Sequence, residues 1–361
     1  MSGAAGLGDL WITIQAWLFP RLEDELGELD EKHKEFIAKR GAVALPVCEM
    51  CDPRSHMRSY RWIGYGCPPK SRLALFKAFV AKAVWGFSTT RDLIDAVRHR
   101  PALRRLCGWE TLGAVPCEAT FSRAFAAFAQ DEIAQRVHEA MIAQHYGGKI
   151  AGHVSRDGTA IHARETAAKK KPKQETEAAP EPTRLQRQLE GSLEENLNNL
   201  PRACDWGTKK NSKGKREMWR GYKLNLDAID GDIPLSWILT SASLHDSQPA
   251  IPLAQMSAER VTSLYDLADA AYDAREIREM SARLGHVAII DHNPRRGEKR
   301  QFAPAEAIRY RERSTAERVF SHLHDNHGGR HVRVRGAAKV AAHLSFGLLV
   351  IAAEQLLKMI C

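Results

Sequence analysis

The sequence predicts an α/β protein in which a mixed five-stranded sheet flanked by helices is preceded by an all-α N-terminal domain. Three observations predict it. Residues 1–148 read as helical, the chain after Gly148 turns to strand patterns with one clear hairpin, and helix and strand signals then alternate to about residue 290. A chain of 361 residues is long enough for about two domains, each with its own core. With 44% hydrophobic and 27% charged residues, wholesale disorder, collagen-like and coiled-coil readings are excluded.

In the N-terminal part, Leu73, Leu75, Phe76, Phe79, Val80 and Val84 follow the start signal Pro68-Pro69-Lys70-Ser71 at the spacing of an amphipathic helix. Shorter helices are expected at residues 90–99 and 118–128. The second opens after Pro116 with Thr120, Ser122 and Arg123 placed to reach a DNA backbone, as in a helix-turn-helix, although a small bundle without DNA contacts gives the same pattern. Cys48-x2-Cys51, followed by His56 and Cys67, has zinc-ligand spacing in its first pair alone, which disfavours a structural zinc. The seven cysteines are scattered without framework spacing and fit a reducing cytoplasm. No basic residue precedes Arg21, so no secretory leader is expected. The most apolar tail stretch, residues 346–353, is 8 residues against the roughly 20 that span a bilayer, so no membrane anchor is expected either.

Beyond Gly148, residues 150–161 form an extended run carrying Ser155-Arg156-Asp157-Gly158. The charged tract 169–184, rich in Pro and Ala, cannot bury a core and is expected to be part of a flexible insertion at 165–205. A hairpin follows: Tyr222, Leu224, Leu226 and Ala228 alternate with polar positions, Asp230-Gly231 makes the turn, and Ile233, Leu235, Trp237 and Leu239 alternate on the return. Then come a helix at 249–258, a buried strand at 261–268, a helix at 274–284 closed by Gly285, and a short strand at 286–290. Three strands followed by alternating helices and strands describe a mixed sheet flanked by helices, for which an RNase H-like core is the leading candidate. The expected domains are a helical domain at 1–148, a core at 149–345 and a C-terminal helix at 346–361.

The net charge of +9 is unevenly spread. Lys209, Lys210, Lys213, Lys215, Arg216, Arg220 and Lys223 stand against Glu217 alone, giving +6, and residues 295–339 hold twelve basic and five acidic residues, giving +7. The rest of the chain carries −4. Such concentration is the footprint of a phosphate-contacting surface, with a merely solvated basic face as the bland alternative.

Cutting and rejoining a phosphodiester with two divalent ions requires acids converging from separate elements, because ions about 3.5–4 Å apart must clamp both the attacking and the leaving oxygen. The candidates are Asp157 on the first strand, Asp269 after the fourth in Leu267-Ala268-Asp269-Ala270-Ala271-Tyr272-Asp273, and Glu317 on a late helix. In an RNase H-like sheet those two strands are neighbours. Each acid also has a structural explanation: Asp157 before Gly158 as a turn former, Asp269 or Asp273 as a helix cap, and Glu317 as the partner of Ser314 in a capping box. The pattern around Glu317 weighs against capping. In a helix that starts near Pro304, Tyr310, Arg313, Glu317 and His324 share one face, setting an acid among cations, with Arg330, Arg333, Arg335 and Lys339 close behind.

These residues resemble the DDE transposases of bacterial insertion sequences, in the group whose third acid sits in a Y-x2-R-x3-E-x6-K signature. Here it reads Tyr310-x2-Arg313-x3-Glu317-x6-His324, with histidine at the lysine position. The resemblance extends to residues 206–214 (WGTKKNSKG), Gly221-Tyr222-Lys223-Leu224, residues 239–252 (LTSASLHDSQPAIP), Asp269-Ala270-Ala271-Tyr272-Asp273 and residues 330–336 (RHVRVRG). In the helical part it covers residues 89–95 (TTRDLID) and 118–125 (EATFSRAF).

The resemblance implies that Asp157, Asp269 and Glu317 are a catalytic triad binding two Mg2+ or Mn2+ ions. They would cleave the ends of the element and pass the freed 3′ hydroxyl to target DNA without a covalent protein intermediate. Tyr310, Arg313 and His324 would contact the DNA end, while Lys209, Lys210, Lys213, Arg330, Arg333 and Arg335 hold the duplex. Histidine titrates near pH 6.5, so the phosphate contact at 324 is expected to be weakened or pH-dependent. The implied partners are double-stranded terminal inverted repeats and target DNA, bound by a dimer, with no membrane, in a bacterial cytoplasm at the nucleoid. The alternative is a DNA-binding protein of transposase descent that recognises the ends without cutting. Retention of three acids favours the enzyme, because crowded carboxylates repel one another and are costly to keep without a metal.

Overall fold

The computed structural model describes residues 31–57, 69–168, 182–210, 214–294 and 298–360. The N-terminal helices are α1 Glu31–Met50, α2 Arg72–Val84, α3 Thr90–His99, α4 Pro101–Cys107, α5 Glu118–Gln130 and α6 Ile133–Tyr146. The Ser71 hydroxyl opens α2 by accepting from the Ala74 amide, and a Thr89–Asp92 capping box opens α3. The Phe79 ring packs against Phe121, Phe125 and Phe128 of α5, which fixes α2 at the centre of this bundle.

A last helix, α13 Ala337–Ile360, joins this core to the rest. The expected C-terminal helix at 346–361 therefore starts nine residues early, and the expected boundary falls mid-helix. By length and composition α13 could cross a membrane, yet most of it is buried inside the protein. It is apolar all round because both sides are covered. Phe346, Leu349, Val350 and Ala353 join the core of the N-terminal helices, while Val340, Leu344, Leu348 and Ile351 join the core of the sheet.

The sheet contains β1 Ile150–His162, β2 Asp205–Lys210, β3 Arg216–Ile229, β4 Ile233–Ser241, β5 Thr262–Ala268 and β6 Val287–Ile290. β1 pairs antiparallel with β3 and parallel with β5, β6 extends the parallel side, and both β2 and β4 pair with β3. The mixed α/β class and the helical N-terminal region match expectation, but the sheet has six strands rather than five. The extra strand is β2, which pairs with residues 216–221, ahead of the expected strand start at Tyr222. Gly221 permits this extension: at φ +154°, any Cβ there would lie 2.0 Å from the Ile161 carbonyl oxygen of β1.

The expected flexible insertion is helical over part of its length. α7 Arg184–Glu190 and α8 Leu193–Asn198 each begin with a capping box, Thr183 with Gln186 and Ser192 with Glu195. The Asn196 amide holds both helices, donating to the Gln188 and Gly191 carbonyls and to Gln255. Residues 169–181 lie outside the described residues. α9 Ala250–Ala258 and α10 Arg275–Arg283 cover one face of the sheet, α12 Ser314–Asn326 and α13 lie on the other, and α11 Pro304–Tyr310 sets Arg309 over the Tyr265 ring of β5.

Candidate active site

Alternate residues of β1 face α12, as the two-residue period of a strand requires. His153 Nε2 lies 3.2 Å from Thr315 Oγ1, the Ser155 hydroxyl donates to the Arg313 carbonyl at 2.5 Å, and Thr159 Oγ1 lies 3.2 Å from His324 Nε2. Asp157 is in this phase, and its carboxylate feels the charges of Arg313 and Glu317. It sits mid-strand, which overturns the turn-former explanation, and accepts the Gly158 N–H at 2.7 Å. On the opposite phase, the buried Arg156 guanidinium makes two bonds to Asp227, at 2.8 and 2.7 Å.

Asp269 arrives from the neighbouring strand. The parallel register places Arg156 opposite Ala268, so Asp157 and Asp269, the next residues on each chain, are brought together. The capping explanation holds for one oxygen of Asp269, which accepts the Ala271 N–H at 2.9 Å at the head of a short 3-10 turn, Ala270–Tyr272. Asp273 is held instead by Arg278 and the Asn293 amide.

The helix carrying Glu317 differs from expectation. Residues 304–326 are not one regular helix: a 3-10 turn at Arg311–Arg313 separates α11, which ends at Tyr310, from α12. The Ser155 hydroxyl bonds both sides of this junction, to the Arg313 carbonyl and from the Ala316 amide. Ser314 is the first residue of α12 and donates to the Arg311 carbonyl, so no capping box forms. Glu317 accepts instead from Arg313 Nη2 at 2.6 Å. The Arg313 guanidinium also lies 5.8 Å from the Tyr310 ring centre, and that ring packs on Phe302. Tyr310, Arg313 and Glu317 thus remain in contact across the break.

Burial, with Asp269 and Glu317 nearby, pushes Asp157 up to about 7, against the opposing pull of the Gly158 N–H and Arg313. Asp269 is also raised, by burial and by Asp246 and Asp291. Sequence reasoning missed Asp246, Asp291 and Tyr272. Asp246 follows β4 and pairs with Lys223 Nζ at 2.7 Å; a Cβ at Gly158 would come within 3.2 Å of it. It stands in the loop between β4 and α9, five residues after the strand ends. The fully buried Tyr272 hydroxyl has no hydrogen-bond partner and lies among Asp157, Asp246 and Asp269.

The remaining candidates are dispersed. His324 is half-buried, and burial together with Arg330 lowers its pKa, leaving the ring neutral at pH 7. Lys209 is exposed on β2, while the Lys210 side chain and Lys213 lie outside the described residues. Arg330 pairs with Asp325 at 2.7 Å; Arg333 and Arg335 are exposed, and Arg333 lines a cleft with Arg91 and Arg164. Cys48 and Cys51 are buried thiols, the first pushed up to about 12 by burial, and among the described residues no third metal-binding side chain joins them. Cys67 lies outside the described residues.

A family model described as "Transposase DDE domain" matches residues 152–352, more than half of the chain. The chain belongs to the DDE transposase family. A second model, "Transposase domain (DUF772)", matches residues 28–127 of the transposase, reaching from α1 into α5. The two together mark an insertion-sequence transposase, a DNA-acting protein of a family that generally uses divalent metals. No curated protein and no solved structure matches the chain. The first match spans all three acids, from the third residue of β1 into α13.

Proposed function

We propose that this transposase cuts the ends of its insertion sequence and joins them to target DNA, with Asp157, Asp269 and Glu317 as its catalytic acids. The observation that carries this reading is the crowding at Asp157, whose carboxyl is pushed up to about 7 by burial beside two further acids. Crowded hard-oxygen donors are what a divalent cation relieves and what an apo protein pays for in repulsion. All three are carboxylate oxygen donors, the chemistry that Mg2+ or Mn2+ takes, and they would hold two such ions once Glu317 closes on the other two. When bound, they would supply Lewis acidity and an activated water.

The chain's own residues have separable tasks. Arg313 fixes the Glu317 carboxylate at 2.6 Å and brings a positive charge to the place where a scissile phosphate would enter. Tyr310 and His324 flank that place from α11 and α12, in the manner of the Y-R-E-K group. Lys209, Lys210, Lys213, Arg330, Arg333 and Arg335 would follow the phosphate backbone. The cleft bearing Arg91, Arg164 and Arg333 supports the region 1–148 as a DNA-end-binding domain beside an RNase H-like catalytic domain. Synapsis of two ends calls for a dimer on DNA, at the nucleoid of a bacterial cytoplasm.

The test is cleavage of a labelled duplex carrying the inverted repeats that flank the protein's own coding sequence, with Mg2+ or Mn2+. Wild type should nick the duplex, whereas Asp157→Asn, Asp269→Asn and Glu317→Gln should bind it and leave it whole. If wild type binds but nicks no faster than the variants, the protein recognises ends without cutting them.

A further inference from the structure

Away from the three acids, the far end of α12 carries a second cluster of metal-binding groups. His322 lies within α12, His327 follows its last residue, and Glu354 reaches them from α13. Glu354 Oε2 is 3.6 Å from His327 Nε2 and 3.9 Å from His322 Nε2, and all three ligand atoms lie within 4.8 Å of one another. Among the described residues no other group of three His, Cys, Asp or Glu side chains meets this geometry.

His327 is the informative member. Its side chain is fully buried, and its Nδ1 lies 3.0 Å from the Ala83 carbonyl oxygen at the end of α2. A carbonyl only accepts, so Nδ1 carries the proton, and in the neutral ring Nε2 presents a lone pair. That Nε2 has no hydrogen-bond partner and points at the carboxylate. A buried nitrogen left without a donor is costly unless something electrophilic faces it. The carbonyl bond to the far ring nitrogen is the arrangement that orients metal-bound histidines.

We propose that His322, His327 and Glu354 bind one zinc ion, separate from the divalent ions of the three acids. Two imidazoles and one carboxylate are a donor set for zinc rather than for magnesium, which takes oxygen ligands. Ligand atoms around a tetrahedral zinc stand about 3.4 Å apart for bonds of about 2.0–2.1 Å, so a small inward movement of His322 closes the site. The His322-x4-His327 spacing is also within the range of zinc ligands. Arg40 approaches the other carboxylate oxygen, Oε1, at 3.8 Å and donates to Asn326 at 2.7 Å, which leaves Oε2 for the ion. His322 is half-exposed and borders an open groove also lined by Glu317, Ser321 and Asp325, giving the ion a path in.

Zinc here would join α12 to α13 at His322, five residues along the chain from Glu317, with His327 bonded to α2 of the N-terminal bundle. It would thereby steady the helix that presents the third acid without taking part in the cleavage site.

The experiment uses the full chain, stripped with a chelator and then given Zn2+ in the presence of excess Mg2+. Elemental analysis after gel filtration measures the retained zinc, and a thermal melt measures its effect on stability. Wild type and Asp157→Asn should each keep one zinc per chain and melt higher with zinc than without. His322→Ala, a change at a half-exposed position, should fold and melt like stripped wild type yet keep roughly tenfold less zinc or lower still. Glu354→Gln should lose zinc in the same way. The proposal is overturned if wild type keeps no zinc against Mg2+, if His322→Ala keeps as much as wild type, or if Asp157→Asn loses it.

Discussion

The Ser155 hydroxyl donates to the Arg313 carbonyl oxygen at 2.5 Å, tying the central strand to the turn that starts α12. Ser155 Oγ in turn accepts from the Ala316 amide at 3.3 Å, so one side chain satisfies both sides of the junction. Asp157 lies two residues along β1 and Glu317 four residues beyond Arg313. Their relative position therefore depends on a residue that touches neither. Ser155→Ala should cost about 1–3 kcal/mol, because it leaves buried backbone groups unpaired. It should also slow end cleavage in Mg2+ although all three acids remain. Denaturant unfolding and single-turnover cleavage check the two parts; unchanged cleavage would show that the junction holds without the serine.

The pH dependence of stability follows from Asp157. Its carboxyl sits at about 7 in the folded chain against 3.8 ordinarily, so between about pH 4 and 7 the native state keeps a proton that the unfolded chain has released. Stability should accordingly fall as pH rises through that window, by up to the order of 4 kcal/mol from this group. A divalent cation can take the proton's place, so Mn2+ should raise the melting temperature more at pH 8 than at pH 5. Asp157→Asn removes the charge, and its melts should vary less with pH and respond less to Mn2+. Parallel curves for wild type and variant from pH 5 to 8 would exclude this carboxyl as the source.

The parts of the fold legible in sequence were those that local rules determine. The start of α2 at Ser71, the bounds of α3 and the Asp230-Gly231 hairpin each rest on a cap or turn written in a few adjacent residues. β2 was missed because its pairing depends on Gly221 passing close to β1, a contact between distant segments. The break at Arg311–Arg313 was missed for the same reason, since the residue that bonds across it is Ser155, 158 positions away. The three acids proposed as catalytic are singled out in sequence by type and neighbourhood. Asp246 and Tyr272 were not, because only the tertiary fold brings a loop acid and a core phenol to the same place.

His324 stands where the related signature has lysine, and burial with Arg330 nearby keeps its ring neutral at pH 7. It lies 3.2 Å from Thr159 Oγ1, so it serves as a hydrogen-bonding partner for β1 and adds no charge to the DNA path. His324→Lys exchanges that bond for a cation on a long, flexible stem able to reach solvent. End binding should tighten at low salt, and the slope of log K against log salt should steepen by roughly 0.9, the value of one phosphate contact. Fluorescence anisotropy across a salt series measures this directly. An unchanged slope would mean that position 324 does not face the phosphate backbone.

Behind Asp157, the Arg156–Asp227 pair is buried on the opposite side of β1, and Ser257 of α9 donates to Asp227 at 2.7 Å. Arg156 pays heavily in desolvation, and Asp227, through its charge and two hydrogen bonds, is what holds it charged there. Removing one partner leaves the other charge buried and uncompensated, so Asp227→Asn should cost about 3–5 kcal/mol. The double change Arg156→Met with Asp227→Leu removes both charges at similar volume and should recover most of that loss. Urea unfolding of the single and double variants separates the two cases. A single variant as stable as wild type would mean that the nearby Asp266 compensates the guanidinium unaided, and the pair would then be incidental to the strand that carries Asp157.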